Sequence, residues 1–420
     1  MVFGITSDDV GLSRNTMIEE DITLLQLAAL YPANKYYAVV FFCFLLWGTI
    51  GVAVSGFTCY SEGDIGFAFE CLHQSVVGAN MLVQIAAHNY YSATLSKYFR
   101  KMDENYYSYN DTMDDDSRKF IADVAHEKKQ RKLMFGRVFK VLIVGCVGGV
   151  LIKSSALHLI RGQGLKEVDG LNWIIYEAPL KVYVPYSDQW GPYLIGYACA
   201  CIVPFEVGFA CSGSISCFIR FSEELLHQIL VLNVGLRNTI KRAKHTYKVR
   251  YGREYVGTDN KQEFEHCLKE CMKCSVEHHL VIIQLFADFR KLMHIPLFTV
   301  IFDGGALICL AVVVILTNDD PSVILPIPFF VSAELYYTYV YCGYGERLTS
   351  AFSEVGYQLY LDDWYLTEAK VIQPYLEIIR SYSFIPKELS ALGFATPNHQ
   401  MFGSILRTAY SFSNVILARD

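Results

Sequence analysis

A chain of 420 residues with 53% hydrophobic and only 19% charged side chains, at a mean hydropathy of +0.26, is too apolar for an ordinary soluble domain, in which about a quarter of residues are charged. A formal net charge of −6 favours neither nucleic acid nor an acidic partner. The 13 cysteines form no paired CxxC and no His–Cys pattern at zinc spacing, so neither a metal site nor a cofactor is expected.

In chain order, residues 1–36 are an arm in which Asp8, Asp9, Glu19 and Glu20 interrupt any apolar run, so no cleaved signal peptide is expected. A helix needs roughly 20 apolar residues to cross a bilayer, and residues 37–60 form the cleanest such span, free of charge. Residues 65–91 are long enough but carry Glu70, His73, Gln74, Asn80, Gln84 and His88, so this span should face protein or water rather than lipid. Further spans are expected at 141–160, 191–218, 295–317 and 323–343, with a short seventh at 401–417. The basic stretch 92–140 and the stretch 219–294 separate them, and 111–119 (DTMDDDSRK) is the most loop-like segment. Phe264, Leu268, Met272, Val276 and Leu280 recur every four residues, so the second stretch should carry helices beyond the bilayer. The sequence therefore predicts one all-α membrane domain. Spans one to four lie within 37–218, a helical extension at 219–294, spans five and six within 295–343, a further helix in 344–400, and the last span in 401–420.

Lysine and arginine collect on the cytosolic side of membrane proteins. A cytosolic N-terminus places 30 of the 36 basic residues inside and 4 outside, with Lys153 and Arg407 within spans. The C-terminus is then extracellular, and the sequon at Asn110 lies in the cytosol, unglycosylated. Only Cys59 lies near an outer loop, so no structural disulfide is expected. Ionisable residues within spans need partners, and Lys153 with Glu206 is one candidate pair beside Glu70, Asp303 and Glu334. No residue set resembles a catalytic site: His278-His279 lacks the HExxH frame, and no glycine-rich phosphate loop follows a strand.

Motifs near the C-terminus add a specific likeness. Residues 333–347 read AELYYTYVYCGYGER, residues 350–365 read SAFSEVGYQLYLDDWY, and residues 402–417 read FGSILRTAYSFSNVIL. Glu334, Cys342, Gly345, Trp364, Tyr365, Arg407, Tyr410 and Ser411 stand where such motifs place an acid, Cys-x-x-Gly, Trp-Tyr and (Lys/Arg)-x-x-Tyr-Ser. This pattern resembles the insect odorant receptor family, and residues 276–289 (VEHHLVIIQLFADF) look like that family's helix entering span five.

The resemblance implies a tetrameric, ligand-gated, non-selective cation channel in the plasma membrane of olfactory sensory neurons. It also implies an intracellular anchor between subunits and a pore lined by the second half of span seven. Most members of the family are tuning subunits that assemble with co-receptor subunits. Here Ala409-Tyr410 is followed by Ser411, Phe412, Ser413 and Asn414, with Ile416 where co-receptors and gustatory receptors tend to carry Gln, so the chain looks like a tuning subunit. A channel of this chain alone, a gustatory-type channel and a G-protein-coupled seven-span receptor are the alternatives. The last would have its N-terminus outside, and no DRY-like or NPxxY motif is present. A transporter would show an inverted repeat or broken midplane helices, and the sequence has neither.

Site residues follow from this. In span seven Arg407, Tyr410, Ser413, Asn414 and Leu417 recur at helical spacing as one stripe, and Tyr410, Ser413, Ile416 and Leu417 are the candidate pore residues. Plain helix packing is the other reading of that stripe. Trp364 and Tyr365 are candidate anchor contacts, or else an interfacial aromatic pair. The implied pocket in the outer half of spans two, three, four and six gives three groups of candidates. Span two offers Phe69, His73, Val76 and Val77; span three offers Ser154, Ser155 and His158. Spans four and six offer Tyr193, Tyr197, Phe329, Phe330 and Ala333. Each group falls on one helix face and would suit a small volatile of low polarity, although aromatics at this spacing also build ordinary cores, and His73 and His158 could be core histidines with satisfied hydrogen bonds. The expected partners are co-receptor subunits, the volatile, membrane lipid and permeating cations, with no nucleic acid.

Overall fold

The protein is described by a computed structural model covering residues 16–31, 35–104, 107, 109, 112–161, 173–175, 178–257, 260–317, 324, 326–358, 361 and 369–417. These residues form helices α1 (Thr16–Leu27), α2 (Lys35–Ser61), α3 (Ile65–Tyr90), α4 (Ser92–Glu104), α5 (Asp115–Arg161) and α6 (Trp190–Arg237). There follow α7 (Thr239–Tyr251), α8 (Lys261–Thr317), α9 (Ile327–Gln358), α10 (Ala369–Ser383) and α11 (His399–Leu417). Two isolated antiparallel bridges, Ile174 with Tyr183 and Ala391 with Ala395, are the extended pairings among the described residues.

Helix lengths follow the apolar runs and their punctuation. α2 coincides with the uncharged stretch and ends before Gly63, whose φ of +86° is left-handed and would strain any residue with a Cβ. Asp64 then caps α3, its carboxylate accepting from the Phe67 amide at 3.1 Å. At 1.5 Å rise per residue, α5, α6 and α8 reach about 70 to 85 Å, more than twice the apolar thickness of a bilayer. They carry helix far beyond any membrane they cross. α8 passes through Pro296 and α6 through Pro204 without ending.

Four described helices are long and apolar enough to cross a membrane on their own: Tyr36–Ser61, Asp115–Ile152, Trp190–Arg237 and Lys261–Thr317. α3, α9 and α11, which hold the other three expected spans, are not among them. The reason for α3 lies in its packing. It runs between α2, α8 and α6 and buries Glu70, His73, Asn80, Gln84 and His88, so protein rather than lipid surrounds its polar side chains. The stretch 92–140 is helical at both ends, as α4 and the beginning of α5, and α5 starts at Asp115 inside the segment expected to be most loop-like. α9 runs unbroken past residue 343, so span six and the start of the 344–400 region are one rod.

One continuous apolar core joins all eleven helices, α5 through Phe139. A smaller cluster sits between α2 and α6 under the connection from α5, where Val52, Ile175, Val182, Val184 and Ala200 pack together. Near the C-terminus, Gly345 lets the backbone of Pro397 approach α9; a Cβ at this position would lie 3.0 Å from the Pro397 carbonyl carbon. That gives the Cys342-x-x-Gly345 pattern a physical reason. All 13 cysteines are free thiols.

Candidate functional site

α2, α3, α5, α6 and α9 splay apart at the end of the bundle that holds the α2–α3 turn and the α5–α6 connection. They enclose about 780 Å³ of empty space, part of it open to the exterior. α2 supplies Gly48, Thr49 and Val52, and α3 supplies His73, Gln74, Val77 and Gly78. α5 supplies Ile143, Cys146, Val147 and Val150, and α6 adds a ladder from Val203 to Cys211. Phe330, Ala333 and Glu334 close it from α9, and Leu180 covers it from the α5–α6 connection. Pro204 removes an amide that would otherwise bond the carbonyl one turn earlier, which loosens α6 beside the space. Most of the wall is carbon, as in small-molecule sites.

A second cavity of about 400 Å³ adjoins the first, sharing His73, Gln74, Val150 and Phe330 and adding Glu70, Pro179, Pro326 and Ile327. Its polar edge is organised by the α5–α6 connection. Lys181 reaches into the bundle, places Nζ 2.7 Å from Glu70 Oε2, and lies 3.5 Å above the Phe67 ring. Glu70 Oε1 in turn accepts from Gln74 Nε2 at 3.3 Å. The connection itself is pinned by the Tyr183 amide, which donates to the Gly51 carbonyl at 3.1 Å. The His73 ring meets Phe330 edge-on at 5.6 Å.

Below the cavity floor lies a buried polar knot. Gln84 Oε1 accepts from Ser214 Oγ at 2.5 Å and from Tyr337 OH at 3.2 Å, while Nε2 donates to Asn80 Oδ1 at 2.7 Å and Thr299 Oγ1 at 3.4 Å. The Ser214 hydroxyl is also 3.1 Å from Tyr341 OH. Gln84 therefore uses all four of its hydrogen-bonding positions and links α3, α6, α8 and α9 directly beneath the space.

The basic half of the bundle is built differently. Glu223 on α6, 1% exposed, accepts from Tyr344 OH at 2.7 Å, and both Arg131 of α5 and Arg347 of α9 approach it to 3.3 Å. Burial opposes the Arg131 charge, but the hydrogen bond and charge of Glu223 outweigh it and raise its pKa. Beside it Glu224 meets Lys128 at 2.7 Å; burial acts to raise the carboxyl, and Lys128 outweighs it and leaves the pKa below the ordinary value. On α8, His278 engages Tyr109 OH at 2.8 Å and Gln228 Oε1 at 2.9 Å and stacks on Tyr107 at 4.2 Å. Burial, with His279 and Arg242 nearby, lowers His278 to about 3. Burial and then Lys387 lower His279 to about 4.

Of the twelve candidate pocket residues, the structure brings His73, Val77, Phe330 and Ala333 to the larger cavity, and His73 and Phe330 to the smaller one as well. Phe69 packs instead against Ala311, Val314 and Ile327. Val76 is half-buried and off both walls, and Phe329 is turned toward Gly145 of α5. Tyr193 and Tyr197 stack on each other at 6.2 Å over the cluster beneath the α5–α6 connection, about two turns from the α6 residues that line the space. The side chains of Lys153, Ser154, Ser155 and His158 lie outside the described residues, as do those of Ser413, Ile416 and Leu417. Trp364, Tyr365 and Asn110 lie outside them altogether. Tyr410 is 70% exposed on α11, and Phe412 and Val415 are exposed on the opposite side of that helix.

Sequence reasoning missed α2 and the deeper turns of α5 and α6. The candidate pairing of Lys153 with Glu206 lies outside the described residues, because the Lys153 side chain does, whereas Lys181, counted only as a loop charge, is the lysine that reaches Glu70. Nothing in sequence spacing announces a partner 111 residues away.

Comparison with known proteins agrees with this architecture. No curated protein matches the chain. Among solved structures, the insect olfactory receptor OR5 from Machilis hrabei superposes with a TM-score of 0.74 at 11% identity, covering 96% of this chain and 98% of that one. The same receptor in complex with eugenol gives a TM-score of 0.71 with the same identity and coverage. At this identity the likeness shows a shared fold. The model of the 7tm odorant receptor family matches residues 64–410, most of the chain and every helix of the cavity wall except α2, and the chain accordingly belongs to the insect odorant receptor family.

Proposed function

We propose that this chain is the odorant-binding tuning subunit of a heterotetrameric, ligand-gated, non-selective cation channel in the plasma membrane of olfactory sensory neurons. In this reading seven helices, α2, α3, α5, α6, α8, α9 and α11, cross the bilayer with the N-terminus cytosolic and the C-terminus extracellular. The basic half is cytosolic, and its helices, with residues 344–400 that include Trp364 and Tyr365, join the subunits.

The observation that carries the reading is the carbon-walled cavity enclosed by five of these crossing helices, α2, α3, α5, α6 and α9. A small volatile fits such a space, and the related receptor solved with eugenol supports a ligand of that size. Ligand binding would favour the open state through tighter contacts there, shifting an equilibrium already present. The Gln84 knot lies between the cavity floor and the basic half and is the natural element to sense the shift. Tyr410 on one side of α11 and Phe412 and Val415 on the other are exposed among the described residues, which supports a helix that faces both neighbouring subunits and a central pore lined by Tyr410, Ser413, Ile416 and Leu417.

Recording from liposomes that contain the purified chain, with and without a co-receptor subunit, tests the proposal. Volatile-evoked cation current without nucleotide or G protein is the expected result, and it should require the co-receptor. Folded tetramers that pass no current in either preparation would defeat it.

A further inference from the structure

The cavity's carbon wall accepts any apolar body of suitable size, so the chemistry of the preferred ligand rests on the few polar atoms nearby. Lys181 and Glu70 form a buried pair, their side chains 7% and 11% exposed. An ionised carboxylate only accepts hydrogen bonds. Glu70 Oε1 therefore dictates which way the Gln74 amide points, drawing its NH₂ to 3.3 Å and turning the carbonyl oxygen away. That oxygen, Gln74 Oε1, is buried with no hydrogen-bond partner among the described residues. The neighbouring His73, 6% exposed, has Nε2 in the same condition. Both residues, with Phe330, stand between the two cavities and line each of them.

The two orphaned atoms are complementary to one kind of group. Gln74 Oε1 can only accept, and the imidazole nitrogen donates or accepts according to its tautomer. A hydroxyl donates to the first and accepts from the second. An ether, ester or ketone only accepts, and leaves the Gln74 oxygen buried without a donor. A hydrocarbon serves neither atom.

We infer that the cavity selects an alcohol or phenol, its hydroxyl seated on the His73–Gln74 wall and its carbon body in the larger cavity. Lys181 acts through Glu70 as a positioning residue for the Gln74 amide. The inference rests on the cavity being the ligand site. Glu334 is the carboxylate on the wall of the larger cavity, Glu70 lining the smaller one, and it would instead prefer an ammonium group, so the test includes an amine.

The test is thermal stabilisation of the full-length chain in lipid nanodiscs by two matched sets of probes: 1-octanol, 1-methoxyheptane, n-nonane and octylamine, and 4-ethylphenol with 4-ethylanisole. The hydroxyl members should half-saturate at roughly tenfold lower concentration than their ethers, the scale set by leaving one buried acceptor unsatisfied. Gln74→Leu and Lys181→Met should erase that ratio, bringing each alcohol to the half-saturating concentration of its ether. A merely structural role for Lys181 would weaken every probe alike. The wild-type ratio stands as a test even where a variant does not fold. An ether or nonane binding as tightly as its alcohol overturns the inference, as does octylamine binding tightest or a hydroxyl preference that survives both substitutions. Those outcomes leave the cavity as the site, whereas no binding by any probe overturns the site and the inference together. Failure of the channel reading alone would be seen as binding without evoked current.

Discussion

The two halves of this bundle solve opposite problems with the same helices. In the cavity half, α2, α3, α5, α6 and α9 stand apart around empty space, and polar atoms of His73 and Gln74 are buried without partners among the described residues. In the basic half, α5, α6 and α9 converge on Glu223, which holds two guanidinium groups and a phenol. The same three helices therefore leave room at one end and are fastened at the other. A receptor needs both: a site soft enough to adapt to a ligand, and a fixed base against which a small displacement becomes a defined motion.

The sharpest way to break the comparison is to unfasten the base. Glu223→Leu leaves the buried Tyr344 hydroxyl without its acceptor and takes the shared carboxylate from Arg131 and Arg347, each about a third exposed, at a cost of about 2 to 3 kcal/mol. Denaturant unfolding in detergent should register that loss, and a change under about 1 kcal/mol would mean that the base is held by packing instead.

Acid should act on the same half. The folded protein holds His278 at about 3 and His279 at about 4, both below the ordinary value near 6.5. The unfolded chain therefore binds more protons between those limits, so the stability these rings confer is full above pH 6.5 and is lost as pH falls toward their folded values. By pH 5 the loss is of order 2 kcal/mol per ring, and thermal unfolding at pH 7.5 and pH 5 measures it. A midpoint that does not move would place the rings in contact with water.

Gln84→Leu tests the boundary between the halves. It removes four hydrogen bonds and leaves Asn80 Oδ1 without its donor, at about 1 to 3 kcal/mol. If the knot transmits the ligand signal, the concentration dependence of evoked current should shift more than binding does; equal shifts in both would confine Gln84 to packing. The smallest effect concerns orientation. Glycan on Asn110 would put the basic half outside the cell and invert the assignment, whereas the proposed topology leaves this site unmodified.

What the sequence revealed follows from the same division. Helix limits were legible where apolar runs meet turn residues, as at Gly63-Asp64 between α2 and α3, so the expected 37–60 and 65–91 correspond closely to Lys35–Ser61 and Ile65–Tyr90. The polar residues of α3 correctly marked it as surrounded by protein. The cavity was only half legible. Tyr193 and Tyr197 attracted attention as aromatics at helical spacing, but they serve the packing beneath the α5–α6 connection. Gly48, Thr49 and Val52 gave no signal, because α2 is apolar all round and a uniform helix does not advertise which face it turns inward. Depth along α6 was invisible for a similar reason, since Val203, Val207 and Cys211 resemble any buried ladder. The Lys181–Glu70 pair required the fold, because it joins a connection to a helix across the chain.

The most direct test of the account fills the cavity. Val207 lines it from α6, and Val207→Trp would occupy the space a ligand needs. Evoked current from co-assembled wild-type and Val207→Trp receptors in liposomes, with tetramer size checked for both, decides the matter. The account predicts a dose-dependent response from the wild type and none from the variant; a variant that keeps the wild-type dose–response curve would place the ligand elsewhere.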